Sequence, residues 1–175
     1  MTISLYAASV PVFKQMLNAL SDVLNKAEAH ATAKNIEPNA LLQARLFPDM
    51  APLFFQIECV DNYSVWGLDA IRHGAFNPPD LVGVVAFSAL QARLAKTEAA
   101  LMAFKPDEVN AWSGKNLDIQ IHVNPRTSAF TAETYLLSFL LPNFYFHAVT
   151  AYDILRHKGV PLGKRDFTGK LRLKS

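Results

Sequence analysis

Apolar residues recur at helical spacing in four long stretches of the chain. In the first stretch Val10, Phe13, Leu17, Leu20 and Leu24 fall on one helical face, which is the pattern of an amphipathic helix. The same period returns in the other three stretches. We therefore predict helices over about residues 3–30, 49–73, 80–104 and 131–157.

Helix start and stop signals set the bounds of these segments. Pro11 predicts a kink or an early false start in the first helix. Asp49 is a candidate N-cap of the second helix, and Gly74 is a plausible stop. The third helix is expected to start at Asp80 or at Pro79, and Thr131 is the candidate N-cap of the fourth.

A short stretch before the last helix has a different period. Residues 117–123 read LDIQIHV and alternate apolar with polar, and the letters NPRT that follow mark a turn. This predicts a β-hairpin or ordered loop over about residues 117–130. Four long helices with one small insert favour a mainly α protein, an antiparallel four-helix bundle.

Length and composition are typical of one apolar domain. The 175 residues are 51% hydrophobic and 18% charged, so we expect a single domain over residues 1–175 with a large core. The net charge of +2 does not indicate a nucleic-acid partner. Seven of the last twenty residues are Lys or Arg, and we interpret residues 158–175 as a flexible basic tail.

Two further features bear on where the protein works. Cys59 is the single cysteine, which excludes an internal disulfide and favours a small buried hydrophobe at that position. Residues 134–152 are free of acidic and basic side chains, but they contain Pro142 and Asn143, so a central bundle helix is favoured over a membrane span. Without a signal peptide pattern, the expected location is the cytoplasm.

A few polar residues interrupt the apolar helical runs and are the candidates for chemistry. Asn143 and His147 stand four residues apart, so their side chains share one helical face. Gln56 and, more weakly, Asp61 interrupt the second helix. One interpretation is that Gln56, Asn143 and His147 converge on a small-ligand pocket in the bundle. The other is that each is a buried group held by an interhelical hydrogen bond.

A complete metal site is not expected from the histidine positions. Histidines stand at 30, 73, 122, 147 and 157, and no two have the three- or four-residue spacing that places ligands on one helix face. A zinc or iron site needs three or more His, Cys or carboxylate ligands. We expect no cofactor, and His147 is the one residue retained as a conceivable metal ligand.

Two long motifs resemble a known family. The stretches RLFPDMAPLFFQ and LPNFYFHAVTAYDILRHKGVPLGKRDFTG are similar to those of domain-of-unknown-function family 1993, which is grouped with the DinB-like four-helix bundles. The resemblance covers nearly the whole chain. It implies a DinB-like fold in a soluble, often dimeric protein whose activity is unassigned.

The resemblance also suggests where a site lies. Metal-dependent DinB-like thiol transferases have three histidines, and aligning their segment LRLLGVP on LRHKGVP places two of them at Asn143 and His147. The third falls near Gln56 by a looser match. This implies a degenerate metal triad, in which only His147 survives.

Three functions remain open from the sequence. The first is a small-ligand-binding bundle that uses Gln56, Asn143 and His147. The second is a transferase or hydrolase that depends on His147 or on a metal. The third is a structural homodimer that binds no ligand.

Overall fold

The computed structural model of the protein describes residues 3–120 and 127–173. They form a mainly helical protein with one small two-stranded sheet, as predicted. The elements are α1 Leu5–Ala8, α2 Val10–Lys34, α3 Pro38–Leu42, α4 Leu53–His73, α5 Phe87–Leu101, α6 Pro106–Asn110, β1 Asn116–Gln120, β2 Thr127–Thr131, α7 Ala132–Thr134, a π-helical turn Tyr135–Leu140, α8 Leu141–His157 and α9 Lys164–Thr168.

The four long helices enclose the core. Helix α4 packs against α5 and α8, and α2 packs against the same two helices, so α2 and α4 lie on opposite sides of the bundle. The apolar face of α2 is buried, with Phe13, Leu17 and Leu20 at most 1% exposed. Phe144 of α8 packs edge-on against Phe13 at a ring distance of 4.7 Å. The period of the apolar residues thus reports the buried face of each helix.

The first predicted helix is interrupted: the short α1 ends at Ala8, before α2 begins at Val10, which agrees with the early false start predicted from Pro11. It is broken at Ser9, whose hydroxyl donates to the carbonyl of Leu5 at 2.7 Å. Helix α2 begins one residue later and contains Pro11 in its first turn, where no intrahelical partner is needed for the missing N–H. It ends at Lys34 instead of residue 30, because Asn35 adopts a left-handed conformation.

Two predicted helix starts were wrong. Helix α4 begins at Leu53 with Pro52 as its cap, and Asp49 lies in the preceding turn. Helix α5 begins at Phe87 instead of residue 79 or 80 and ends at Leu101. The chain before it is irregular, and there the backbone N–H of Val82 donates to the buried carboxylate of Glu58 at 2.8 Å.

The predicted hairpin is present. Strands β1 and β2 are antiparallel, with Leu117 opposite Phe130, and Leu117 and Ile119 face the core. Residues 121–123 of the predicted strand lie outside the described residues. Thr131 caps the next helix as expected, since its hydroxyl accepts from the N–H of Thr134 at 3.2 Å.

A π-helical turn connects this cap to α8. The backbone N–H of Leu141 donates to Leu136, five residues back instead of four, which widens the helix. Pro142 follows in the first turn of α8 and has no N–H to continue either pattern. Gly67 of α4 faces this turn, and a Cβ at that position would overlap the side chain of Leu140. The glycine therefore allows the widened turn to pack closely.

The basic C-terminal segment is ordered where it is described, not a flexible tail. Helix α9 packs against α2, and Gln15 donates to the carbonyl of Thr168 at 2.8 Å. Lys26 pairs with Asp166 at 2.5 Å and lowers the pKa of that carboxyl. Among the described residues no helix is both long and apolar enough to cross a membrane.

Candidate functional site

Gln56 and His147 meet between α4 and α8. The Gln56 side chain is 2% exposed, and its amide nitrogen donates to the carbonyl of Ala51 at 2.9 Å. Its oxygen Oε1 lies 2.7 Å from Nδ1 of His147. Two of the three predicted site residues are therefore joined by a direct hydrogen bond.

This bond fixes the protonation of the imidazole. The Ala51 carbonyl only accepts, so the NH₂ group of Gln56 must face it and Oε1 must face His147. An amide oxygen accepts, so Nδ1 of His147 carries the hydrogen and Nε2 carries the lone pair. Burial lowers the pKa of His147 from 6.5 to about 4. The ring is consequently neutral at neutral pH, with Nε2 as a hydrogen-bond acceptor.

Aromatic rings surround the imidazole. The ring of Tyr63 stacks on His147 at a centroid distance of 5.5 Å, with 15° between the planes. Phe146 meets it edge-on at 5.3 Å, and Phe55 lies tilted at 6.1 Å. Tyr63 in turn stacks on Phe76 at 5.1 Å. His147 is thus the polar end of an otherwise apolar aromatic cluster.

Asn143 is engaged elsewhere. Its amide nitrogen donates to the carbonyl of Phe139 at 2.7 Å, within its own helix. This carbonyl lies at the end of the π-helical turn, beside Pro142, where regular helical bonding is interrupted. The structure therefore gives Asn143 a bond to the backbone, and no hydrogen bond connects it to Gln56 or His147 among the described residues.

The donor set of these three residues does not fit a divalent metal. Gln56 and Asn143 contribute amides, which are poor ligands beside imidazoles, and the amide of Gln56 is already bonded at both ends. Within residues 3–120 and 127–173, no three His, Cys, Asp or Glu side chains are grouped as a metal site requires.

The main cavities of the described residues lie elsewhere. One has a volume of about 620 Å³ and is bounded by α1, the end of α6 and the π-helical turn. A second, of about 430 Å³, lies between α4 and α5. The walls of these cavities do not include Gln56, Asn143 or His147.

A charged cluster between α4 and α5 was not predicted. Arg93 of α5 donates to Glu58 at 3.0 Å, to Asn62 at 3.1 Å and to Asp61, which also accepts from Thr97. Glu58 is fully buried. The sequence had shown Asp61 as a polar residue in an apolar helix. The signal for its partner was Arg93, a charged residue among apolar residues of α5.

Cys59 has the inert role that was expected. It is 8% exposed, and burial, reinforced by the charge of Glu58, raises the pKa of its thiol to about 12. A thiol with so high a pKa is not a nucleophile near neutral pH.

Comparison with known proteins identifies the family. Residues 5–168 match the family model described as "Domain of unknown function (DUF1993)". The chain belongs to the DUF1993 family. This DUF1993 chain is also similar to a DinB family member protein from Shewanella denitrificans, known from a crystal structure, with 29% sequence identity and a TM-score of 0.84.

That similarity covers 98% of the DUF1993 chain and 95% of the other. It confirms the DinB-like fold that the two sequence motifs had indicated. The comparison with curated proteins gave no significant match.

Proposed function

We propose that this DUF1993 protein binds a small uncharged ligand at His147. In this proposal Nε2 accepts a hydrogen bond from the ligand, and the rings of Tyr63, Phe55 and Phe146 pack against its apolar part. The observation that supports it is the bond from His147 to Gln56, which holds the imidazole in one tautomer with Nε2 as acceptor.

Ligand binding is favoured over acid–base catalysis by the low basicity of the ring. A general base is most effective when its pKa lies near the working pH. The pKa of His147 is lowered to about 4, so the ring is unprotonated at neutral pH but takes up a proton poorly. It is better suited to accept a hydrogen bond than to remove a proton.

Phenol is a suitable probe because it is planar, uncharged and carries one donor. We expect saturable binding of phenol in an NMR titration with ring-labelled histidine, with the largest ¹⁵N shift at Nε2 of His147. Anisole, which lacks the donor, should bind about five-fold more weakly, as expected for one lost neutral hydrogen bond.

The matched variants are His147→Phe and His157→Phe, the latter at an exposed histidine. His147→Phe should abolish the preference for phenol over anisole, and His157→Phe should keep it. Equal affinity of the unaltered protein for both probes would refute the proposal.

A metal- or His-dependent transferase or hydrolase is the alternative, since the Nε2 lone pair is also a potential metal ligand. Elemental analysis of the purified protein separates the two. Less than about a tenth of an equivalent of zinc, nickel, iron or manganese, with no gain on reconstitution, would remove the metal version.

We also propose that the protein is a homodimer that works in the cytoplasm. Leu137 and Phe146 are 61% and 54% exposed, and Tyr145 and Val149 extend this apolar surface along α8. Two copies can cover such a surface through a two-fold interface. Sedimentation should show a dimer that Tyr145→Ser weakens and Phe47→Ser, at an exposed ring elsewhere, does not.

A further inference from the structure

The cavity of about 620 Å³ is lined by other residues than the cluster around His147. One side is formed by the start of the chain, with Leu5 and Ala8 of α1. The opposite side is formed by Leu136 and Leu137 of the π-helical turn. Cavities of this size accept small organic ligands. The two walls are aliphatic and would take an alkyl group.

The polar edge of this cavity is formed by Asn110, Ser113 and Glu133. The carboxylate oxygen Oε1 of Glu133 accepts from the hydroxyl of Ser113 at 2.7 Å and from the N–H of Gly114 at 2.9 Å. Both bonds end on the same oxygen. The carboxylate is therefore held in position at the edge of the cavity.

The charge of Glu133 is not neutralised by its described neighbours. The bonds from Ser113 and Gly114 lower the pKa of its carboxyl, so it is ionised at neutral pH. The ion pairs found within residues 3–120 and 127–173 all involve other carboxylates. A negative charge thus stands at the edge of an aliphatic cavity.

Asn110 supports the arrangement from the other side. Its side-chain oxygen accepts from the backbone N–H of Tyr6 at 3.0 Å, which ties α1 to α6 and leaves the NH₂ group as a second polar contact. The cavity is consequently built from three parts of the chain and is fixed by hydrogen bonds at both polar corners.

We infer that this cavity binds a small amphiphile with a cationic amine. The ammonium group pairs with Glu133, and the alkyl part lies between Leu5, Ala8 and Leu136. Glu133 and the aliphatic walls together select this class over alkanoates, which the carboxylate repels, and over polyols, which the walls do not solvate.

Octylammonium, octanol and octanoate test this inference, because they share one alkyl chain and differ in the charge of the head group. In isothermal titration calorimetry below the micelle concentration, octylammonium should bind at least about three-fold more tightly than octanol. Octanoate should bind more weakly than both. The backbone NMR signals of Gly114 and Leu136 should shift with saturation.

Glu133→Gln keeps an acceptor for Ser113 and Gly114 but removes the charge. It should abolish the preference for octylammonium over octanol. Glu98→Gln, at a surface carboxylate paired with Lys14, should leave that preference unchanged. Ala8→Leu fills the cavity and should weaken all three ligands.

Circular dichroism confirms that each variant is folded before titration. No saturable binding of octylammonium to the unaltered protein would overturn the inference. An ammonium preference that survives Glu133→Gln in the folded variant would overturn it as well.

Discussion

Helix α4 carries two polar clusters in a largely apolar interior, and they are built on opposite principles. Towards α8, Gln56 holds a neutral imidazole and leaves Nε2 as an acceptor. Towards α5, Arg93 binds both Glu58 and Asp61, so that two carboxylates share one guanidinium within the protein. The first cluster leaves an acceptor that a ligand can bind. In the second cluster the charged side chains bind each other.

The two clusters therefore differ in what their loss would do. Removing one member of a buried ion pair leaves an uncompensated charge in a medium of low dielectric constant. Removing one member of a neutral hydrogen bond leaves an unsatisfied dipole, which costs less. Stability measurements can separate these cases.

The largest effect is expected for Arg93→Met. It leaves Glu58 and Asp61 buried without their cation and should lower the free energy of unfolding by about 3–5 kcal/mol. Urea denaturation measures this. Lys14→Met, which removes an exposed pair, is the control and should cost less than about 1 kcal/mol. A loss of similar size in both variants would show that the Arg93 cluster is not a structural one.

A smaller effect is expected when pH is lowered. The pKa of His147 is about 4 in the folded protein and near 6.5 when unfolded, so between these values the unfolded state binds the additional proton. Stability is thus complete above pH 6.5 and falls as the pH decreases towards 4. Between pH 6.5 and 5 the loss should be about 2 kcal/mol.

Urea midpoints at several pH values test this for His147. The His147→Phe variant should lack this part of the pH dependence, and His157→Phe should retain it. Identical slopes for His147→Phe and the unaltered protein would mean that His147 is not buried as a neutral ring.

The smallest effects distinguish Gln56 from Asn143. Gln56→Leu leaves Nδ1 of His147 and the Ala51 carbonyl without their partner, and should cost about 1–2 kcal/mol. Asn143→Leu breaks one bond inside a helix and should cost at most about 0.5 kcal/mol. Thermal unfolding of both variants measures these losses of stability. Equal losses would indicate that Asn143 belongs to the same cluster as Gln56 and His147.

The sequence predicted the long helices well because the spacing of their apolar residues follows the helix faces that are buried in the structure. It predicted helix starts poorly where the chain before the helix contacts an element that is distant in the sequence. Asp80 has the form of a helix start, yet α5 begins at Phe87, and the chain between them contacts another helix through the N–H of Val82 and the carboxylate of Glu58. No local pattern contains that information.

The site was predictable to the same limited extent. The resemblance to DinB-like proteins placed Gln56 and His147 together, and the structure joins them by a hydrogen bond. It placed Asn143 beside them, but the π-helical turn gives its amide a nearer acceptor in Phe139. Arg93 was missed because its partners lie on α4, more than thirty residues earlier in the chain.

The π-helical turn has a consequence for comparing relatives. It acts as a one-residue insertion that a helix absorbs without forming a loop. A relative with a regular α-helix over the same stretch would have one residue fewer, and the alignment would need a gap between positions 134 and 141. Without that gap every downstream residue is displaced by about 100° around the helix axis, and His147 would be matched to a position that faces a different neighbour.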